Sequence, residues 1–425
     1  MIHAPAGVTD ATIPEFPMPR AAGCPFAPPP ELMRLHAEQP VSQVRLWDGS
    51  TPWIVTRYDD QRALYGDKRL SVDPRRTGFP HFSAAFQQAY SQMPPSFLNM
   101  DDPDHARIRR MVTAPFTIKR IEAMRPAVQR MTDEFIDAML AGPNQADLVE
   151  ALALPLPSLV ICELLGVPYE DHEFFQSKSK VGVRRDASLE ESHAASGALL
   201  AYLDEQLQAK LADPADDMLS DLAARMQAGD LTRREAAMLG LLLLGAGHET
   251  TANMIALGVL ALMEHPDQLA VVRDTDDPQV LAGAVEEMLR FLTVVHNGQR
   301  RVALDDIEIG GRLIRAGEGV IIPGATGNWE PDRFPDPDRL DLRRDARRHM
   351  AFGFGIHQCL GQPLARLELQ VVYGTLFRRV PTLRRATELE KIPFKDDGVV
   401  YGVYELPVTW ESHPLEKINS QALMT

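Results

Sequence analysis

Cysteine is scarce: Cys24, Cys162 and Cys359 are the only three in 425 residues, and they stand far apart. That number and spacing exclude a disulfide framework and a four-cysteine zinc site, and they fit a reducing, cytoplasmic setting. Positive charge is in short supply as well. With 44 Lys and Arg against 59 Asp and Glu, the formal net charge is -15, which excludes nonspecific nucleic-acid binding through a basic face. No lysine or arginine precedes Arg20 and no apolar run of signal-peptide length stands there, so secretion is not expected. An unbroken apolar run is missing too. The nearest, Ala236 to Met263, is interrupted at its middle by His248, Glu249, Thr250, Thr251 and Asn253, whereas a membrane span needs roughly 20 apolar residues without a polar break. This run predicts a long helix buried in protein, and no membrane partner is expected.

What is present suits a sizeable core: 45% of residues are hydrophobic and 24% charged, the balance of a soluble globular chain. Residues 1 to 30 are expected to form an extended arm, because "PEFPMPRAAGCPFAPPP" is too proline-rich for helix or central strand. "SQVRLW" and "TPWIVT" alternate as strands of a small sheet do. From about Asp102 to Leu292 helical periodicity dominates, divided by turns such as "AGPN" and "EHPDQ". Past Thr293, "RVALDDIEIGGRLIRAGEGVIIPG" predicts hairpins; helix returns after Cys359, and "GVVYGVYELPVTW" predicts a last hairpin. The expectation is a mainly α chain with a minor antiparallel β region, one large domain over 31–410, a polar tail over 411–425, and a monomer.

The stretch "FGFGIHQCLG" carries the chemistry. Gly353, Gly355 and Gly361 stand where backbone must turn tightly or approach something flat, and Cys359 stands at the entry to the helix "LARLELQVVYGTLF". Unpaired N–H groups at a helix start favour thiolate over thiol, and a thiolate there is a nucleophile or a metal ligand. The bland alternative is a small buried hydrophobe. The pattern F-x-x-G-x-x-x-C-x-G, complete from Phe352 to Gly361, resembles the cysteine-ligand loop of the cytochrome P450 family, the haem-thiolate monooxygenases.

Other stretches carry the same resemblance. "AGHETT", Ala246 to Thr251, interrupts the apolar helix with an acid beside a hydroxyl, a costly placement unless both are solvated or used. A zinc protease reading fails, since H-E-x-x-H needs histidine where Ala252 stands. In the family this motif crosses the distal haem face, which implies Glu249 and Thr250 as the catalytic acid and alcohol, with Ala246 small enough to let oxygen approach. Glu287 and Arg290 match the family's E-x-x-R, and Arg339 is the implied third member of its structural triad. His105 and Arg109 lie one helical turn apart on one face. Together with Arg301 and His357 they match positions that contact haem propionates in relatives. Phe352, Gly353, Gly361 and Ala246 complete the implied haem contacts, and Cys359 is the implied iron ligand.

By the same likeness, Leu98, Leu242, Gly245, Val294, Val295, Val399 and Val400 should line the substrate pocket, which, being apolar, suits a hydrophobic natural product or xenobiotic. The resemblance runs from about Phe16 to Trp410 and is closest to soluble actinobacterial members. It implies haem b, insertion of one oxygen atom from dioxygen into a C–H bond, and electrons from NAD(P)H through a ferredoxin and a ferredoxin reductase. The chain itself has neither a Gly-rich flavin motif nor a cysteine set for an iron–sulfur cluster. The basic run Arg343, Arg344, Arg347 and Arg348 suits an acidic electron donor, or is a solvated loop. One departure is "TGNWEP", where Trp329 takes a position commonly charged in relatives. A non-catalytic haem protein, such as a redox or gas sensor, is the alternative; it would need Cys359 but not Glu249 with Thr250. A peroxide-using relative would be expected to lack that pair as well.

Overall fold

The computed structural model describes residues 13–92, 96–183, 188–396 and 398–411. The first twelve residues of the expected arm and the expected tail beyond Glu411 lie outside these described residues. Seven helices position the site: α1 (Asp104–Val112), α2 (Arg125–Ala141), α3 (Pro155–Leu165), α4 (Leu189–Ala212), α5 (Arg233–Glu264), α6 (Pro278–Leu292) and α7 (Gln362–Arg379).

Helix α5 contains the interrupted apolar run. Thr232 starts it: its hydroxyl accepts the Glu235 N–H at 3.2 Å while the Glu235 carboxylate accepts the Thr232 N–H at 2.7 Å, satisfying two orphan donors reciprocally. From Thr251 to Leu262 every residue is buried, so a helix apolar on all sides has to be enclosed by others. It is enclosed by α3, α4 and α7. Gly258 lets α7 come close: a Cβ there would fall 1.9 Å from the Tyr373 hydroxyl, which donates to the Met254 carbonyl at 2.6 Å. No single helix among the described residues is long and apolar enough to cross a membrane.

The larger sheet has the order β1-β2-β8-β5-β3, formed by Val41–Gln43, Trp53–Val55, Gly319–Ile322, Gln299–Ala303 and Leu70–Ser71. All its pairings are antiparallel except β2 with β8. β6 (Ile307–Ile309) and β7 (Arg312–Ile314) form the hairpin expected around "GG", with Gly310 and Gly311 at φ 53° and 73°. The expected final hairpin does not form. Apart from one bridge between Phe394 and Val403, that segment sends β10 (Pro407–Thr409) to remote partners, β4 (Gln145–Asp147) and β9 (Arg384–Arg385). Trp329, the departure in "TGNWEP", is a core residue: its ring stacks on Phe291 at 5.2 Å and its indole N–H donates to the Phe291 carbonyl at 3.1 Å. It therefore ties its segment to α6.

Candidate active site

The glycine loop folds back on itself before α7. Gly353 and Gly355 adopt φ 68° and 77°, and at Gly355 a Cβ would meet the Tyr65 carbonyl at 2.6 Å, so only glycine fits there. The Cys359 N–H donates to the Phe352 carbonyl at 2.9 Å, and the thiol opens onto a cavity with an empty volume of about 1570 Å³, part of it open to solvent. Burial pushes the thiol up, against which the amides of Gly361 and Gln362 and the guanidiniums of Arg109 and Arg366 act. The donors expected at the helix entry are in place, but for the free thiol desolvation outweighs them. A cation bound to the sulfur would reverse that balance, since a coordinating thiol is deprotonated outright.

Across the cavity runs α5. Leu242, Leu243, Ala246, Gly247, Thr250 and Thr251 face the void, following the helical repeat. Thr250 donates its O–H to the Ala246 carbonyl at 2.8 Å; the hydroxyl's remaining lone pairs are available as acceptors on the cavity side. Glu249 does not stand on the wall. It lies four residues after Gly245, on the adjoining face of α5, and Gly245 is for the same reason not a lining residue.

At the edge of the cavity two imidazoles and an arginine come together. His105 and His357 have their ring centroids 4.1 Å apart. Both ring nitrogens of His105 are buried without a hydrogen-bond partner, and Asp102 Oδ1, at 3.5 Å from Nδ1, is too poorly placed to serve. Asp101 is engaged by the Ser71 hydroxyl at 2.5 Å and the Val72 N–H at 2.9 Å. Burial and the Arg109 charge hold His105 below its ordinary value. Burial and then the charges of His105, Arg301 and Arg109 push His357 down to about 3. Buried imidazole nitrogens without partners, set beside the Arg109 and Arg301 charges, are costly unless a negative group joins them to accept their hydrogen bonds. With a sulfur donor at one end, orphaned donors at the edge and apolar walls between, the residues fit a haem with its propionates.

Two expected haem contacts are placed differently. Arg301 stands behind the wall, with Nη1 donating to the Arg300 carbonyl and Nη2 to Gln299 Oε1, each at 2.8 Å, and it is Gln299 that lines the cavity. Strand alternation explains the choice between neighbouring arginines: Arg300 points to the other face, where its guanidinium lies 4.6 Å over the Phe82 ring. Gly353 is not on the wall either; it packs against the Gln299 side chain, whose amide nitrogen a Cβ there would meet at 2.8 Å. Phe352, Gly361 and Ala246 do line it.

Among the expected pocket residues, Leu98, Leu242, Val294 and Val295 line the cavity. Val399 and Val400 do not. They sit on a turn tethered by the Tyr401 N–H to the Val294 carbonyl at 2.8 Å, which leaves Val399 exposed and Val400 in the core.

The supporting triad needs a correction. Glu287 and Arg290, fully buried, form a bidentate pair with Nε–Oε2 2.7 Å and Nη2–Oε1 2.8 Å. The third member is Arg344, whose Nε lies 3.2 Å from Glu287 Oε1, and not Arg339. A turn at Asp336–Arg339 exposes the Arg339 side chain and offers its carbonyl, with that of Asp336, to the Arg344 guanidinium. A second cluster went unseen in the sequence. Glu286 accepts from Arg366 at 2.6 and 3.0 Å and is 3.0 Å from His349 Nε2; Arg366 in turn covers the Phe352 ring at 4.6 Å. Gln299 and Glu368 also line the cavity unforeseen. The spacing Leu364, Ala365, Glu368, Leu369 after the loop was the available signal for Glu368.

Comparison with known proteins agrees with this geometry. The cytochrome P450 family model matches residues 192–401. Cytochrome P450 GfsF of Streptomyces halstedii is 58% identical over 95% of this chain and 98% of its own, and its crystal structure superposes with a TM-score of 0.90 over 93% of this chain and 100% of that one, at 59% identity. Cytochrome P450 CYP105Q4 of Mycobacterium marinum is 57% identical over 96% of this chain and 99% of its own. The structure of cytochrome P450 MoxA from Nonomuraea recticatena, 50% identical, covers 93% of this chain and 98% of that one at a TM-score of 0.89. Matched over nearly its whole length by such relatives, the chain belongs to the cytochrome P450 family of haem b monooxygenases.

Proposed function

We propose that this chain oxidises a hydrophobic small molecule, a natural product or xenobiotic, by inserting one oxygen atom from dioxygen into a C–H bond, with electrons delivered from NAD(P)H by a reductase and a ferredoxin. The observation that carries the proposal is that Cys359 and Thr250, from the thiolate loop and from α5, line one apolar cavity. Haem held by a thiolate activates dioxygen, so that one atom enters the substrate and the other leaves as water.

The chain's own residues do the rest. Cys359 would hold the iron, with the amides of Gly361 and Gln362 aimed at its sulfur. His105, Arg109 and His357 would receive the propionates, and Arg301 acts through Gln299, which it orients. Thr250, its O–H committed to Ala246, would accept a hydrogen bond from the oxygen side, and Glu249 would pass protons inward. Leu98, Leu242, Val294 and Val295 exclude water and hold an apolar substrate. The acid–alcohol pair and the apolar wall favour this reading over a gas or redox sensor.

For electron entry, Arg343, Arg347 and Arg348 are exposed, while Arg344 is taken up by the buried triad. The three exposed arginines would steer an acidic ferredoxin against the negative overall charge. The test is turnover with NADPH and surrogate redox partners over a natural-product library, under isotopically heavy oxygen gas. One labelled atom in a product, with a matching substrate-induced spectral shift, is expected; label-free product or none across the library would oppose the proposal.

A further inference from the structure

Glu249 belongs to the motif but looks away from the cavity. What it meets is Lys395, whose Nζ lies 4.0 Å from Glu249 Oε1. The lysine side chain is 7% exposed and the glutamate 36%, so the cation is the enclosed partner and the acid the one that reaches water. An enclosed ammonium is stable only beside an anion.

The segment that bears Lys395 is fixed against the turn of α5 that bears Glu249. The Lys395 N–H donates to the Gly402 carbonyl at 2.9 Å, and Gly402 abuts Asn253 so closely that a Cβ would fall 1.8 Å from its Oδ1. Asn253 in turn donates to the Glu249 carbonyl at 2.8 Å. Behind this contact Phe394 stacks on Tyr401 at 6.0 Å, and Arg20 of the N-terminal arm lies 3.9 Å over the Tyr401 ring.

The geometry points to Lys395 as a positioning residue for oxygen activation, which favours the ionised form of the Glu249 carboxylate on the outer face of α5 and so helps set the pH range in which it passes protons toward Thr250. The inference rests on the reading of Glu249 given above. On balance the Glu249 carboxyl is raised: partial burial pushes it up, and the Lys395 charge offsets part of that rise. The Tyr404 ring lies 5.4 Å from the Lys395 nitrogen, while the Asp396 charge acts on Arg20 and Tyr401. His248 turns the opposite way, its Nε2 3.0 Å from the Leu154 carbonyl.

The test uses ferric holoenzyme in wild-type, Lys395→Met, Lys395→Arg and Glu249→Gln forms. The Glu249 carboxyl is titrated by infrared difference against Glu249→Gln, and product formed per NADPH is measured over the same pH range. Lys395→Met should move the carboxyl midpoint up by about one pH unit or more and shift the coupling profile with it, and Lys395→Arg should restore both. An unmoved midpoint in Lys395→Met would overturn the inference. Full coupling in Glu249→Gln would instead defeat the role of Glu249 itself, whatever Lys395 does. Should Lys395→Met fail to assemble, Lys395→Gln removes the charge with less loss of hydrogen bonding and reads the same midpoint.

Discussion

Arg344 Nε sits 3.2 Å from Glu287 Oε1, in a pocket where Glu287 and Arg290 are both fully buried. Removing one partner of such a cluster leaves an uncompensated charge, which costs about 3–5 kcal/mol. Glu287→Ala and Arg290→Ala should therefore yield little folded holoenzyme, and Arg344→Ala should lower the urea midpoint strongly. Arg339→Ala should change stability by no more than about 0.5 kcal/mol, because that side chain is exposed.

Thr250 and Ala246 share a hydrogen bond on the cavity wall. Thr250→Ala should keep haem content and the reduced carbon-monoxide spectrum while product per NADPH falls severalfold and hydrogen peroxide rises. Unchanged coupling in that variant would remove the alcohol from the mechanism.

Glu368 is fully enclosed at the cavity, its Oε2 lacks a partner, and burial raises its carboxyl well above the ordinary value. The folded state therefore holds a proton that the unfolded state releases above its own lower pKa. Stability from this group is full in acid and is lost as pH rises, by about 1.4 kcal/mol per pH unit until the folded-state value is reached. Glu368→Gln, already neutral, should match the wild type near pH 4 and exceed it at pH 8; equal melting-temperature differences at both would contradict a neutral buried acid.

Arg343, Arg347 and Arg348 are exposed near the thiolate loop. Changing Arg343 and Arg347 to Glu should slow ferredoxin-supported turnover much more than peroxide-driven turnover, and the loss should grow as ionic strength is lowered. Equal effects on both routes would mean a merely solvated loop.

Local patterns in the sequence were the most legible. The glycine loop, the polar break in an apolar helix and the i,i+4 pair His105 and Arg109 each specify geometry within a few residues, so their surroundings follow from the residue order alone. Long-range pairing was not legible in that way. Arg344 and Arg339 both follow "FPDPD" closely, and only the turn at Asp336 decides which guanidinium reaches Glu287. Likewise "GVVYGVYELPVTW" alternates as a hairpin does, but its final strand finds better partners in β4 and β9. Glu249 shows a third limit: a motif places two residues side by side in the chain, whereas the helical repeat turns one into the cavity and the other toward Lys395.

The central claim is a sulfur–iron bond made by Cys359, and the most direct measurement is the spectrum of the reduced carbon-monoxide complex in wild-type protein and in Cys359→Ser. The wild type should show the long-wavelength band of a thiolate-bound haem, and the variant should lose it while His105, Arg109 and His357 still retain some haem. The same band in both proteins, or no haem uptake by the wild type when hemin is supplied, would contradict the account.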